Sequence, residues 1–366
     1  MLKSALPLSL LLSVSALANT QVVTTVKPVS LIVGAIGGEH VTVEQLINNQ
    51  ASPHDFALRP SDLRKLNDAE LVVWVGESLE TFLEKPLANL NAKKDLEWMA
   101  LNGLTLREFG EEHDHEGHDH EDHEGHDHED HEGHDHEDHE GHDHEDHEGH
   151  DHEDHEGHDH EDHEGHDHED HEGHDHEEHE GHDHEDHEGH DHHGHSHTGT
   201  DPHVWLDPDN AKVLAHAVAD RLAALDPDNA EAFEANYATF VNDLEQADKR
   251  LAAQLEPVHD VPYFVFHEAY GYFEAHYGLN NQGAVTVSPE RKPGAQTVAK
   301  LREEIEEHKV ECIFSEPQFS PGIVKTLIAG TDVKSAVLDP LGSTYQVDTY
   351  SAFLEELGNQ YLSCLK

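Results

Sequence analysis

Basic residues are scarce in this chain: 21 Lys and Arg stand against 80 Asp and Glu in 366 residues. No basic cluster exists to neutralise phosphates, which excludes nucleic acid as a partner. Past residue 18, no apolar run is long enough to cross a bilayer. Cysteine is nearly absent, with Cys312 and Cys364 the only two. In an oxidising compartment an even pair points to a disulfide; the alternative is two buried thiols. The loop it would close is about 50 residues, worth about 4 kcal/mol by chain entropy. The HExxH pair of many zinc hydrolases is also missing.

The most depleted stretch is residues 111–197, which holds no Lys, Arg, aliphatic or aromatic residue. Nothing in it can build a core, and its composition is that of a disordered segment. What it does hold is 34 of the 42 histidines and 41 of the 80 acidic residues. The octad EGHDHEDH begins at Glu116 and repeats nine times to His187, with one Asp to Glu change at position 178. A coda, EGHDHHGHSH, follows to His197. In each HDH the two imidazoles are two residues apart, so they face the same way in an extended chain and can share a metal. His118, His120 and His123 in the first octad, and His190, His192 and His195 in the coda, typify this accessory metal tract. Its sites should be weaker than a preformed cleft, since a flexible chain loses entropy on closing. Most of the net charge of −59 is local to it; the other 279 residues carry −18.

The chain opens MLKSALPLSLLLSVSALA. A Lys before an apolar run, then Ala16-Leu17-Ala18, is the pattern of a secretory signal peptide over residues 1–18, too short to span a membrane stably. The mature protein is expected to be exported and soluble, and no Cys follows the cleavage point to carry a lipid.

Strand and helix patterns alternate elsewhere. VSLIVGAIG (29–37) reads as a buried strand and VTVEQLI as a helix. Ser61 caps a helix over DLRKL, and LVVWVG (71–76) is a second strand. After the tract, a helix starts near Asp207 or Asp209 with Pro208 in its first turn. Residues 229–257 lack internal Gly and Pro and keep apolar residues at helical steps, which gives a helix of about 40 Å. Beyond it run PYFVFH (262–267), GAVTVS, ECIFSE and KSAVL as strands, each followed by a helix. The fold class is therefore α/β: two lobes, each a mostly parallel sheet covered by helices, joined by one long bridging helix, with a disordered His/Asp/Glu-rich insert. The boundaries are 19–228 for the first lobe, 229–257 for the bridge and 258–366 for the second lobe.

Eight histidines lie outside the tract. His216 sits mid-helix, His276 and His308 near helix ends, and His40 and His259 in polar loops; these five read as surface or capping residues. His54 follows the first βα unit, His203 lies in DPHVWL, and His267 ends the strand PYFVF. Ligand sites in α/β folds gather at the carboxyl ends of strands, so the three are candidates to converge there. Each is equally readable as a core His with one hydrogen bond. Asp339 holds a similar strand-end position, with a turn-forming Asp before Pro as the alternative. Glu268, beside His267, is the one visible general base for a hydrolase, and it is more simply a helix N-terminal residue.

Several stretches resemble the substrate-binding proteins of metal-specific ABC transporters, above all their zinc-binding ZnuA branch. They are HDFALRPSDLRKLNDAELVVWVG, DPHVWLDP, YFVFHEAYGYFEAHYGL, PERKPGAQ, FSEPQF and LDPLG. With the acidic His-rich insert, the resemblance covers the mature chain. It implies two lobes with Zn(II) in the cleft, its ligands falling on His54, His203 and His267 and its cleft carboxylate on Asp339. It also places the family's disulfide on Cys312 and Cys364. Manganese-preferring relatives put a carboxylate where this chain has His267. Some zinc-branch members carry a Glu before the first His; here that position is Pro53, which leaves water or Asp339 as fourth ligand.

The resemblance implies a monomeric periplasmic zinc receptor, not an enzyme, that delivers Zn(II) to an ABC permease and through it to an ATPase. The tract then collects or buffers zinc. A periplasmic metal buffer without its own transporter is the alternative.

Overall fold

Two apolar runs near the start of the chain exchange the roles their density predicts. The computed structural model describes residues 19–48, 51–89, 94–109, 199–286 and 293–366. The expected signal peptide, residues 1–18, and the tract, including His118, His120, His123, His190, His192 and His195, lie outside these residues. Lys27–Gly37 is a helix, α1, and Val41–Gln45 is a strand, β2. The sequence periods explain the reversal. Val29, Ile32, Val33 and Ile36 are buried at helical three- and four-residue steps, and Pro28 suits the first turn. Val41 is buried while Thr42 and Glu44 are exposed, which is the two-residue period of a strand. The first strand is Thr20–Thr24, β1, at the start of the described residues.

Helix α2 (Pro60–Asp68), strand β3 (Leu71–Trp74), helix α3 (Thr81–Ala88) and strand β4 (Asp95–Glu97) complete the first sheet region. The N-cap of α2 is Arg59 rather than Ser61: Pro60 takes the first helical position, and Asp62 accepts from Arg59 N at 2.9 Å. Helix α4 (Pro208–Leu225) begins as the sequence predicts, with the Asp207 side chain accepting from Asp209 N and Asn210 N. Helix α5 is Ala230–Leu255. The remaining elements are β5 (Tyr263–His267), α6 (Gly271–Tyr277), β6 (Asn281–Thr286), α7 (Ala295–Glu307), β7 (Cys312–Ser315), α8 (Gly322–Ile328), β8 (Lys334–Val337) and α9 (Tyr350–Leu365).

Two four-stranded sheets result, in the orders β2-β1-β3-β4 and β6-β5-β7-β8, with parallel pairings throughout. Both faces of each are covered, as parallel sheets require. Side-chain alternation sorts the residues: Tyr263 and Val265 of β5 join the principal core, whereas Phe264 and Phe266 face a separate cluster under α7 and α8. In β3, Leu71 and Val73 enter the principal core, and Val72 and Trp74 pack with Leu66 and Leu83 on the other face.

That principal core is continuous from Val22 and Val73 of the first sheet, through Leu244 and Leu251 of α5, to Phe314 and Tyr361 in the second half. All described residues fall within one compact unit. Helix α5 packs on α1, α4 and α9. Its crossing with α9 is close, since a Cβ at Gly358 would overlap Leu251. Cys312 at the start of β7 and Cys364 near the end of α9 form a disulfide, tying the last helix to the second sheet. Among the described residues no helix is long and apolar enough to cross a membrane.

Candidate metal centre

Three loops bring His54, His203 and His267 together. His54 sits on the short 3-10 turn Pro53–Asp55, whose start is fixed by Ser52 Oγ accepting from His54 N at 3.3 Å. His203 directly precedes the turn Val204–Leu206, all three residues of which are buried. His267 is the last residue of β5, the central partner of β6 and β7. The ring centroids are 5.4 Å apart for His54 and His203, 5.8 Å for His54 and His267, and 5.3 Å for His203 and His267. Each ring offers one nitrogen, and these nitrogens lie within 4.8 Å of one another. A tetrahedral zinc with bonds near 2.0–2.1 Å places such nitrogens about 3.4 Å apart, inside that bound. His203 and His267 are 1% and 3% exposed, and His54 is half-buried.

Two carboxylates orient the buried rings. Asp201 Oδ1 lies 2.6 Å from His203 Nδ1 and also accepts from His203 N at 2.9 Å. Glu316 Oε1 lies 2.6 Å from His267 Nδ1. A carboxylate is an acceptor, so each selects the Nδ1–H tautomer, which leaves Nε2 as the nitrogen with a lone pair to offer a metal. The rings enclose a cavity of about 10 Å³, the scale of one small particle, walled also by Pro53, Trp205, Phe319, Pro340 and Leu341. Phe319 stacks on Phe266 at 5.2 Å and meets His267 edge-on at 6.2 Å, which fixes the wall beside that ring.

Asp339 lies outside the cluster of three. It is wholly buried, and its oxygens are committed elsewhere. Oδ1 accepts from Gln318 Nε2 and Leu341 N; Oδ2 accepts from Ser343 Oγ, Thr344 N and Thr344 Oγ1. Five donors saturate a group with about four lone-pair sites. Asp339 thus organises the loop 339–345 and, through Gln318, the neighbouring loop that carries Glu316. The loop 339–345 is also tied to distant segments of the chain. Trp205 Nε1 donates to Pro340 O at 2.7 Å, and Lys27 Nζ donates to Gly342 O and Tyr345 O. Gly342 is required there: its φ is 61°, and a Cβ would crowd Phe353 and Tyr345.

Sequence reasoning finds the three histidines but misses both orienting carboxylates. Asp201 is two residues from His203, a spacing at which an Asp side chain reaches back to the chain. Glu316 directly follows β7, the strand beside β5, in a motif already singled out. The other described histidines have ordinary contacts: His40 with Phe233, His216 with Asp220, His259 with Asp260. His276 differs, lying near Asp207 and Asp209 in a second three-residue group. Its members already have work, since Asp207 caps α4, Asp209 pairs with Lys212, and His276 bonds Asp248.

The chain matches the family model of the periplasmic zinc-uptake complex component A over residues 22–364. It is 38% identical to the high-affinity zinc uptake system protein ZnuA of Yersinia pestis over 374 aligned residues, covering 100% of this chain and 96% of that protein. It is 42% identical to the protein of the same description in Haemophilus influenzae, over 97% of this chain and 96% of that one. Among solved structures, a crystal structure of ZnuA matches with a TM-score of 0.65 at 21% identity, covering 95% of this chain and 100% of that chain. A ZnuA with residues 138–173 deleted and zinc bound matches with a TM-score of 0.64.

Proposed function

Because the chain belongs to the family of periplasmic zinc-uptake complex component A proteins, we propose that it is a receptor binding Zn(II) between His54, His203 and His267 and delivering it to an ABC permease. One observation carries the reading: three imidazole nitrogens lie within 4.8 Å, two of their rings held by buried carboxylates. Neutral imidazoles suit borderline zinc, whereas a site for manganese would favour carboxylates. With Asp339 occupied by its own loop, the fourth position goes to water. No bond of a substrate is made or broken; the cargo is bound and released, and the energy for import comes from an ATPase on the permease.

The mature chain works in the periplasm as a monomer, after removal of residues 1–18. Its lobes are residues 19–228 and 258–366, with α5 as the rigid connection. The tract inserted in sequence between His54 and His203 collects or buffers zinc through its HDH pairs. These sites hold metal more loosely than the cleft because their geometry has to be assembled on binding.

The test is import. Cells lacking the gene, grown in zinc-depleted medium, regain zinc uptake with the wild-type chain and not with His54→Ala or His267→Ala. Full uptake by cells carrying no copy at all would instead favour a buffering role without a dedicated transporter.

A further inference from the structure

We propose that Tyr272 is a positioning residue for His203, acting through the two short segments that flank the His-rich insert; this rests on the reading of His203 as a zinc ligand. Those segments meet in one antiparallel bridge. Glu108 pairs with Thr200, and Thr200 Oγ1 donates to Glu108 Oε1 at 2.9 Å. Phe109 N donates to Gly199 O at 3.0 Å, and Asp201 N donates to Arg107 O at 2.8 Å. In such a ladder the residues on either side of a non-hydrogen-bonded pair exchange both backbone bonds. Arg107 and Asp201 are in that position, yet one of their two bonds is relayed. Arg107 N donates to Tyr272 Oη at 3.1 Å, and Tyr272 Oη donates to Asp201 O at 2.8 Å.

A hydroxyl from α6, the helix after His267, is therefore wedged into the rung beside that bridge. A direct backbone bond spans about 2.9 Å, whereas the relay spans two hydrogen bonds. The wedge holds Asp201 away from Arg107 on that side and so sets where its carboxylate stands. That carboxylate is the group on His203 Nδ1. The surroundings are built for the approach. A Cβ at Gly271 would stand 3.5 Å from both Asp201 Oδ2 and Arg107 Nε. Tyr272 is 1% exposed, and burial raises its phenol pKa, so the hydroxyl keeps the proton it donates. The line of contact runs from Tyr272 through the Asp201 carbonyl and carboxylate to the imidazole. The ring of Phe109, on the opposite segment, stands 6.5 Å from His203.

Without the hydroxyl, the rung either closes and shifts Asp201 or loses the bridge between the Arg107 N–H and the Asp201 C=O. Both outcomes loosen the hold on His203. The experiment is a chelator-competition titration of the full chain, reading the affinity of its tightest zinc. Tyr272→Phe should weaken it about tenfold and Asp201→Asn by 10- to 100-fold, the range for groups behind a metal ligand. The double variant should be no weaker than Asp201→Asn alone, because the two act in series. An unchanged affinity in Tyr272→Phe, or losses that multiply in the double variant, would overturn the proposal. If Tyr272→Phe does not fold, hydrogen exchange of the wild type decides. Zinc should slow the Arg107 and Asp201 amides together, and unrelated responses overturn it. A His203→Ala chain that keeps the tightest zinc would overturn the ligand assignment, and this proposal with it.

Discussion

His267 and Glu316 share a hydrogen bond of 2.6 Å between Nδ1 and Oε1, both residues only 3% exposed. Two elements meet there: His267 ends β5, and Glu316 follows β7, its neighbour in the sheet. An imidazole in this setting has one tautomer and one orientation fixed by its own chain.

Removing that partner should therefore cost affinity before it costs fold. Glu316→Ala is expected to weaken zinc binding 10- to 100-fold. Glu316→Gln should lose less, since its amide oxygen still accepts from Nδ1–H. Chelator competition measures both.

Asp339 should behave in the opposite way. Its carboxylate collects five donors inside a wholly buried loop. Asp339→Ala leaves several of them without an acceptor, at a cost on the order of 3 kcal/mol. The expected result is a lower denaturation midpoint for the metal-free chain, with one tight zinc still bound by a refolded sample. Loss of the tight zinc from a stably folded variant would place Asp339 on the metal.

The residues that were legible in the sequence, and those that were not, differ in the range over which their signal is written. His54, His203 and His267 are candidates because each occupies a loop or strand end of an α/β rhythm, and the family resemblance, carried by local motifs, picks them out. Glu316 does not, because its meaning depends on a partner 49 residues away and on the neighbouring of β5 and β7. Asp339 is ambiguous for a related reason. An Asp before Pro at a strand end looks the same whether it faces a metal or its own loop. The exchange of α1 and β2 comes from weighing apolar density above period: Val29, Ile32, Val33 and Ile36 are spaced for a helix, and Val-Thr-Val-Glu alternates as a strand.

Two buried carboxyls carry a pH signature. Burial raises Glu80 to about 7, against bonds from Val75 N and Gly76 N that favour its charged form. Burial likewise raises Glu274 to about 7, beside Asn281 and the hydroxyls of Tyr263 and Tyr361. A carboxyl whose pKa is higher in the fold than in the unfolded chain stabilises the fold fully below the unfolded pKa of 4.5. That contribution is lost as pH rises from there through about 7. Each group is worth on the order of 2–3 kcal/mol over this window. Glu80→Gln should flatten the fall in stability of the metal-free protein between pH 4.5 and 7, measured by denaturant titration at several pH values. An unaltered slope would show that Glu80 ionises normally in the fold.

The central claim is that specific zinc recognition belongs to three scattered histidines and not to the 34 of the tract. Competition titration of the full chain against His203→Ala tests it most directly. The wild type should bind one zinc far more tightly than the rest, followed by a series of weaker equivalents. His203→Ala should lose the tight one and keep the weaker series. A tight equivalent that survives His203→Ala would contradict the claim and move recognition to the repeats.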